Sequence, residues 1–468
     1  MILIAGLGDL RATDRLGSGI EGEWVQWPFF MYWLYSAILA AALILTLPYW
    51  LVQMSRHGKY RSGLSERLGR TPSCLGVDPS PPTIWVHAVS VGEVMAVSQL
   101  VAELQRRLPA YRIVVSTTTD TGQRLARKRL SEQQVFYCPM DFAFAIRPYL
   151  RRLRPELVVI AETELWPNLL RLAHAHGARV AVVNARISDR SWPGYRRFRF
   201  LLKTVLRPVD LVLAQTEEDA RRLAQLGVPA ARLRTAGNLK FDVPTPAFPP
   251  IVGSLRKAFA ESGAGPVLVC GSTVAEEEPL LLRAFENILA SYPQAVMLLA
   301  PRHPERFNEV SQLLEALGIR FLKRSLWAGE AVGGGVFLVD TIGELAALYS
   351  LADIAFVGGS LVPRGGHNII EPAQYGVAIM VGPHTEDFRD MVRLFHSHEA
   401  LRVVGPAELP LVFLELITNV KARRALGERA AAILRSQTGA TARTADALLA
   451  LLAPTSPSFT GGGAAALP

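Results

Sequence analysis

Cysteine is scarce. The 468-residue chain has three, Cys74, Cys138 and Cys270, far apart, odd in number and without a CxxC spacing, so neither a disulfide framework nor a zinc ribbon is available and a reducing compartment is expected. Charge is thin as well, 19% of residues against 50% hydrophobic. Because the apolar residues are spread along the whole length, a disordered tail protein, a coiled coil and a collagen-like repeat are excluded. There is no HExxH, no EF-hand loop and no Walker GK[ST] after a glycine loop, and His174 and His176 read as surface residues, so no metal site is expected. The charges that are present lean basic, 50 Lys and Arg against 41 Asp and Glu, which suits an anionic partner: nucleic acid, an acidic membrane surface or a phosphorylated substrate.

One long stretch lacks charge altogether. From Trp24 to Ser55 no charged residue occurs, and Phe29 to Leu47 is almost purely apolar, enough for a helix to cross a bilayer. Trp24, Trp27, Tyr32 and Trp33 precede the run and Tyr49 and Trp50 follow it, as interfacial aromatics do. Acidic residues (Asp9, Asp14, Glu21, Glu23) outnumber Arg11 and Arg15 before it, whereas Arg56, Lys59, Arg61, Arg67 and Arg70 come after it. The positive-inside rule then puts the large C-terminal part in the cytoplasm behind a single-pass anchor over residues 28–52, with 1–27 as an N-terminal extension. A helix lying in the interface or buried in protein is the alternative, which Pro48 and the many aromatics keep open.

Beyond Pro82, short β-rich runs alternate with helical stretches: Thr83 to His87, Arg112 to Thr117, Leu157 to Ala161, Arg179 to Asn184 and Leu211 to Ala214. After the proline-rich linker 243–250 the alternation restarts with Pro266 to Cys270, Ala295 to Ala300, Val336 to Val339, Ile354 to Val357 and Ala378 to Val381. This predicts an α/β fold with two Rossmann-like domains, 55–242 and 251–452, followed by a disordered tail, 453–468. In such sheets ligands bind beyond the carboxyl ends of the strands, with a cleft expected between the two halves.

The segments that follow the strands carry the chemistry. His87-Ala-Val-Ser-Val-Gly-Glu93 puts Glu93 on a first helical turn, where Ser90-x-x-Glu93 also fits a capping box; the helix dipole would favour its ionised form. Glu162-Thr-Glu-Leu-Trp-Pro-Asn168 sets two carboxylates at a strand tip, and the spacing does not say which meets substrate. Asn184 to Ser191 is polar and basic, suited to phosphate or carboxylate or to a plain turn. A run from Tyr195 spaces Arg196, Arg199, Lys203 and Arg207 as on a basic amphipathic helix. Lys240, in Gly237-Asn-Leu-Lys-Phe-Asp242, stands just before the linker. In the second half, Cys270-Gly-Ser-Thr273 precedes Glu276, Glu277 and Glu278, and Ala300-Pro-Arg-His-Pro-Glu-Arg-Phe307 carries Arg302. Thr341-x-x-Glu344 and Asn368-x-x-Glu371 are again box patterns. The glycines of Gly358-Gly-Ser-Leu-Val-Pro-Arg-Gly-Gly-His367 would let backbone approach a ligand closely, as phosphate loops do.

In this order, from about Met31 to Leu452, the motifs HAVSVGE, ETELWPN, NARISDRS, GNLKFD, APRHPERF, DTIGEL and FVGGSLVPRGGHNIIEPA resemble the 3-deoxy-D-manno-octulosonic acid (Kdo) transferases. The resemblance implies a GT-B glycosyltransferase fold in an inner-membrane protein facing the cytoplasm. It implies inverting, metal-independent transfer of Kdo from CMP-Kdo to the lipid A precursor (lipid IVA) in lipopolysaccharide core biosynthesis, with no cofactor. By the same resemblance Glu93 matches the general base, and Glu162 and Lys240 match residues that stabilise the transition state. Pro301, Arg302, Ile342, Gly343, Glu344, Asn368, Ile369, Ile370 and Glu371 match the CMP-binding positions. Val274 departs from the histidine or glycine more usual there, and residues 1–30 precede the usual family start. Alternatives are another GT-B sugar-nucleotide transferase, an epimerase, or a membrane-tethered nucleic-acid binder. The last lacks aromatic platforms interleaved with Lys and Arg, so no nucleic-acid partner is expected.

Overall fold

The structure, a computed structural model, describes residues 27–57, 62–75, 81–130, 134–243 and 248–453. The expected extension before Trp27, the tail after Ala453 and the middle of the linker lie outside the described residues. The described chain forms two compact units, one running to Asp242 and resuming at Gly439, the other Val243–Thr438.

Each unit is built on a seven-stranded sheet whose strand pairs among the described residues are parallel. The first comprises β1 (Thr83–His87), β2 (Arg112–Thr117), β3 (Val135–Tyr137), β4 (Pro155–Ala161), β5 (Arg179–Ala185), β6 (Leu211–Ala214) and β7 (Leu233–Thr235), in the order β3-β2-β1-β4-β5-β6-β7. The second comprises β8 (Val267–Thr273), β9 (Val296–Pro301), β10 (Phe321–Lys323), β11 (Gly335–Leu338), β12 (Ile354–Val357), β13 (Ala378–Val381) and β14 (Arg402–Val403), in the order β10-β11-β9-β8-β12-β13-β14. Unbroken apolar runs make the central strands because helices cover both faces of a parallel sheet, so nearly every position of those strands is buried. Along β1 and β4, Trp85, Val158 and Ile160 point to one core, while Ile84, Val86, Leu157 and Val159 point to the other. Trp85 is fully buried with its ring 5.5 Å from Phe136 and 6.2 Å from Tyr149; truncating such a side chain to Ala costs about 3–5 kcal/mol.

Chain order reverses beside β1 in the first sheet, between β1 and β4, and beside β8 in the second, between β8 and β12. These are the switch points where a parallel sheet leaves a crevice at its strand ends. Residues in the left-handed region gather at those ends: Glu162 (φ 55) after β4, Asn184 (φ 55) in β5, and Ser272 (φ 57) and Glu276 (φ 74) around the end of β8. Non-glycine residues adopt that conformation at a cost of order 1–3 kcal/mol, and such residues concentrate at functional sites.

One expected boundary is corrected. The sequence assigns everything to 452 to the second domain, yet the helix Ala440–Leu452 belongs to the first unit. Ala440, Ala445 and Leu448 are fully buried in the core that holds Val94, Val97 and Val101. The Asp242 carboxylate accepts from Gly439 N at 2.7 Å and from Thr441 N at 2.5 Å, fixing the helix start. Alternation of strand and helix says nothing about which sheet a final helix covers.

The N-terminal helix, Trp27–His57, carries the expected apolar run. Its Phe30–Arg56 portion, whose most apolar 18 residues have a mean hydropathy of 1.9, is long and apolar enough to cross a membrane. Most of its apolar side chains are uncovered, which makes it a membrane-associating element.

Candidate active site

The first switch point gathers the acidic residues. After β1 the chain turns through Ser90, the N-cap of the helix Val91–Arg107. Glu93 N donates to Ser90 Oγ at 3.4 Å, the Ser90 hydroxyl donates to Glu93 Oε1 at 2.9 Å, and Val89 N donates to Glu93 Oε2 at 2.8 Å. The capping box therefore forms, and it leaves each carboxylate oxygen a free lone pair. Glu93 is only 6% exposed. Burial pushes its carboxyl up to about 7, helped by the charges of Glu162 and Glu164 and opposed by the Val89 N–H and Ser90 hydroxyl. The sequence expectation that the helix dipole would favour ionisation is thus reversed, because desolvation in a crevice shared with two other acids outweighs it.

After β4, Glu162 N donates to Val183 O at 2.8 Å, which holds the left-handed turn. Lys240 Nζ donates to Glu162 Oε1 at 2.8 Å. Lys240 is presented by a short turn, Leu239–Phe241, in which Asn238 Oδ1 accepts from Lys240 N at 3.0 Å. Asn184 Oδ1 accepts from Leu239 N at 2.9 Å, so the NARISDRS segment supports the turn that carries the lysine. The Thr163 hydroxyl donates to Arg186 O and accepts from Arg186 N, tying that segment to ETELWPN as well. Of the two strand-tip carboxylates, Glu162 is therefore the one with the lysine. Glu164, the second strand-tip carboxylate, is raised by burial and by Glu162 and is a third acid at this point. Its side chain bonds Trp166, whose ring meets buried His87 edge-on at 5.4 Å. Nearby Tyr195 feels the Glu164 charge, and a concavity of about 370 Å³ is lined by Trp192, Pro193, Arg196 and Arg197.

In the second unit, β9 ends at Pro301 and Arg302 follows with its backbone N–H on Thr273 O at 2.8 Å and its side chain exposed. The Arg302 charge acts on both His367 and Glu371. Asn368 Oδ1 accepts from Ile370 N at 3.1 Å and Asn368 Nδ2 donates to Glu371 Oε1 at 3.3 Å, while burial raises the Glu371 carboxyl. His367, missed from sequence, is held to about 4 by burial and by Arg302 and His303, and is neutral at pH 7. Ile369 and Ile370 are fully buried, so only their backbone can face a ligand. In the neighbouring loop Ile342 is 77% exposed and Gly343 has φ 91. The Glu344 carboxylate is clamped by Arg324 at 3.0 and 2.8 Å and by the Thr341 hydroxyl, so it shapes the loop.

The glycine segment after β12 is not the open phosphate loop that its glycines suggest. Gly358 packs against the Ser272–Thr273 backbone so closely that a Cβ would lie 2.6 Å from Ser272 O. Gly359 adopts φ 69, and the amides beyond it are already filled. Glu277, fully buried, accepts from Gly359 N at 2.7 Å, Ser360 N at 2.8 Å, Leu361 N at 2.7 Å and Val274 N at 3.2 Å. The chain's own carboxylate occupies that nest at the second switch point. Its neighbour Glu278 is buried on Arg306 at 2.7 Å.

Residues 62–243 match the family model of 3-deoxy-D-manno-octulosonic-acid transferase (kdotransferase). The 3-deoxy-D-manno-octulosonic acid transferase of Haemophilus influenzae is 34% identical over 429 residues, covering 90% of this chain and 98% of that protein. The Bordetella pertussis protein of the same name is 36% identical over 416 residues, covering 85% and 94%. The chain belongs to the Kdo transferase family. The crystal structure of the C-terminal CMP-Kdo binding domain of WaaA from Acinetobacter baumannii is 31% identical, covers 40% of this chain and 98% of that one, and has a TM-score of 0.37. As a family member the chain is a glycosyltransferase, and its two parallel Rossmann-like units are the GT-B composition expected from the sequence. Within the first unit, the predicted Glu93, Glu162 and Lys240 converge on one switch point. Within the second, Arg302 and Asn368–Glu371 come together, while Ile342–Glu344 sits on its own loop after β11. Among residues to which the resemblance gave no role, the structure adds Glu164, the second strand-tip carboxylate, to the first site, Glu277, one of the first-turn acids, to the glycine segment, and His367 beside Asn368. The partners of Glu277 are remote in the chain and could not be read from it. No group of three or more His, Cys, Asp and Glu among the described residues is placed to hold a metal.

Proposed function

We propose that this chain transfers Kdo from CMP-Kdo to the lipid A precursor in a single inverting displacement, with Glu93 as the general base. The observation that carries the reading is the Glu93 carboxyl: buried, raised to about 7, and retaining a free lone pair on each oxygen. A base of that pKa takes a proton efficiently at neutral pH. In this reading Glu93 removes the proton of the acceptor hydroxyl as that oxygen attacks the anomeric carbon. Glu162 and Lys240 form an ion pair beside it and oppose the charges that develop on the sugar and on the leaving CMP. Arg302 meets the departing phosphate, the Ile342–Glu344 backbone and the Asn368–Glu371 segment hold the nucleotide, and no metal or other cofactor is required. Both units lie on the cytoplasmic side of the inner membrane, held there by the N-terminal helix.

The test incubates detergent-solubilised enzyme with CMP-Kdo, generated in place, and the tetraacylated lipid A precursor in the presence of EDTA, and weighs the lipid by mass spectrometry. Addition of one or more Kdo masses is expected. Folded enzyme that binds CMP but yields no product, with or without added divalent cation, would reject this donor and acceptor pair; product only with the cation would reject metal independence.

A further inference from the structure

The N-terminal helix is held to the first unit near its start, within its apolar run, and the chain is fixed to the same unit again a few residues after the helix ends. Near its start, Tyr32 is 7% exposed, its hydroxyl donates to Thr204 O at 3.3 Å, and the Arg171 guanidinium lies 4.8 Å over its ring. One turn on, Ser36 Oγ accepts from Asn168 Nδ2 at 3.0 Å, and that nitrogen also donates to Asp141 O at 2.6 Å. The Tyr35 hydroxyl hydrogen-bonds the Asp141 carboxylate. Beyond the helix, Gly63 packs on the Tyr137 ring, and Glu66 Oε2 accepts from Tyr137 N at 2.7 Å. The Arg67 guanidinium lies 4.6 Å over Tyr137, and Arg67 O accepts from Met140 N at 2.8 Å. The chain therefore leaves the unit at Asp141 and rejoins it at Met140.

A helix that crosses a bilayer has its ends on opposite sides of a hydrocarbon core about 30 Å thick. Met140 and Asp141 are successive residues, about 3.8 Å apart at Cα, and cannot stand on opposite faces. Chain length leads to the same conclusion. From Ser36 to His57 the helix runs about 32 Å, but residues 58–63, even fully extended, bring its far end no more than about 20 Å from the place where Gly63 is fixed. The far end therefore cannot stand a membrane thickness away. Nor is the helix a water-facing one: Trp33, Ile44, Leu45 and Tyr49 are 68, 70, 80 and 58% exposed, and apolar residues lie on every side of it, with Pro48 in its interior. Acyl chains are the occupant that such a surface fits.

Of the two attachments left open by the sequence, we infer the one that does not cross: the helix is embedded in the membrane from one face, and both of its ends stay on the side of the first unit. The inference rests on the membrane reading above and deepens it. Asn168, which grips Ser36, closes the ETELWPN segment, and the Asp141 carboxylate accepts from Asn168 N and Leu169 N at 3.0 and 2.8 Å. The embedded helix is thus joined directly to the segment bearing Glu162 and Glu164, which holds the acidic site at the height of lipid headgroups.

The test uses the full-length chain with an epitope tag at each terminus, in spheroplasts and in inverted membrane vesicles, together with a Pro28→Cys variant probed by a membrane-impermeant maleimide. Both tags are expected to survive protease in spheroplasts and to be cut in inverted vesicles, with the introduced thiol labelled only in the vesicles. An N-terminal tag cut, or that thiol labelled, in spheroplasts while the C-terminal tag stays protected means that the helix crosses and overturns the inference. Loss of the protein from carbonate-washed membranes would instead overturn the membrane reading itself, and the inference with it.

Discussion

The two units place a buried carboxylate at the same topological position and use it in opposite ways. Glu93 follows β1 at the first switch point and accepts two hydrogen bonds, one per oxygen, in a crevice shared with Glu162 and Glu164. Glu277 follows β8 at the second and accepts four, all from backbone amides, three of them from the glycine segment after β12. The first is left short of donors and crowded by like charge, so its proton is held near neutrality and can be exchanged. The second is saturated by backbone amides, so it folds a loop. Residue type and place in the fold do not separate an exchangeable carboxyl from a structural clamp; the count and sign of the partners do.

The largest contrast is expected from removing each carboxylate. Glu93→Ala should lower kcat about 10²–10⁴-fold while leaving CMP affinity, measured by calorimetry, unchanged. Residual turnover near wild type would remove Glu93 from the base role. Glu277→Ala should do the reverse in kind. It leaves four buried N–H groups unpaired at about 1–3 kcal/mol each before relaxation, so a loss of about 3 kcal/mol, roughly 6–12 °C in Tm, is expected together with weakened CMP binding. A variant that melts like wild type would show that the amides find other partners, and the comparison drawn above would break.

What the sequence made legible follows the same division between local and remote. β1, β2, β6, β12 and β13 have the expected bounds because each is a buried run flanked by turn residues, a signal written in consecutive positions. The strands that went unread, β3, β7, β10 and β14, are the four sheet edges. They are two or three residues long, pair on one side only and, β3 apart, are half-exposed or exposed, so no buried run announces them. At the site, the capping box of Glu93 was readable from Ser90 three residues away. The pairing of Lys240 with Glu162, 78 residues apart, was not, since only the order of the strands brings them together. The glycines of residues 358–366 announced a special backbone but not that Glu277, some 80 residues earlier, fills it. The final helix was misassigned for the same reason, its partners Val94 and Val97 lying far back in the chain.

Arg302→Ala probes the second unit without touching its clamp. Loss of one charge-assisted contact to a phosphate costs about 1.5–3 kcal/mol, or roughly 10–100-fold, and should appear in the donor KM with the melting temperature unchanged. An unmoved donor KM would show that the phosphate is held elsewhere.

The smallest effect tests the Glu93 carboxyl by pH. Burial moves the Glu93 carboxyl from 4.5 to about 7 in the folded chain. A carboxyl raised on folding favours the folded state while protonated, so its contribution is full below about 4.5 and declines as pH rises through about 7, beyond which the buried charge is a fixed penalty. A rise of this size corresponds at most to about 3 kcal/mol, and relaxation of the crevice should leave about 1–2. Glu93→Gln removes the charge and keeps an acceptor for Val89 N. It should therefore be more stable than wild type to urea at pH 8 and no more stable at pH 4 and, on the proposed base role, inactive. In the wild-type enzyme kcat/KM should fall about tenfold per unit below pH 7, as the base becomes protonated. Equal urea midpoints for the two proteins at both pH values would mean that the carboxyl is not strained, and the distinction from Glu277 would then rest on hydrogen-bond count alone.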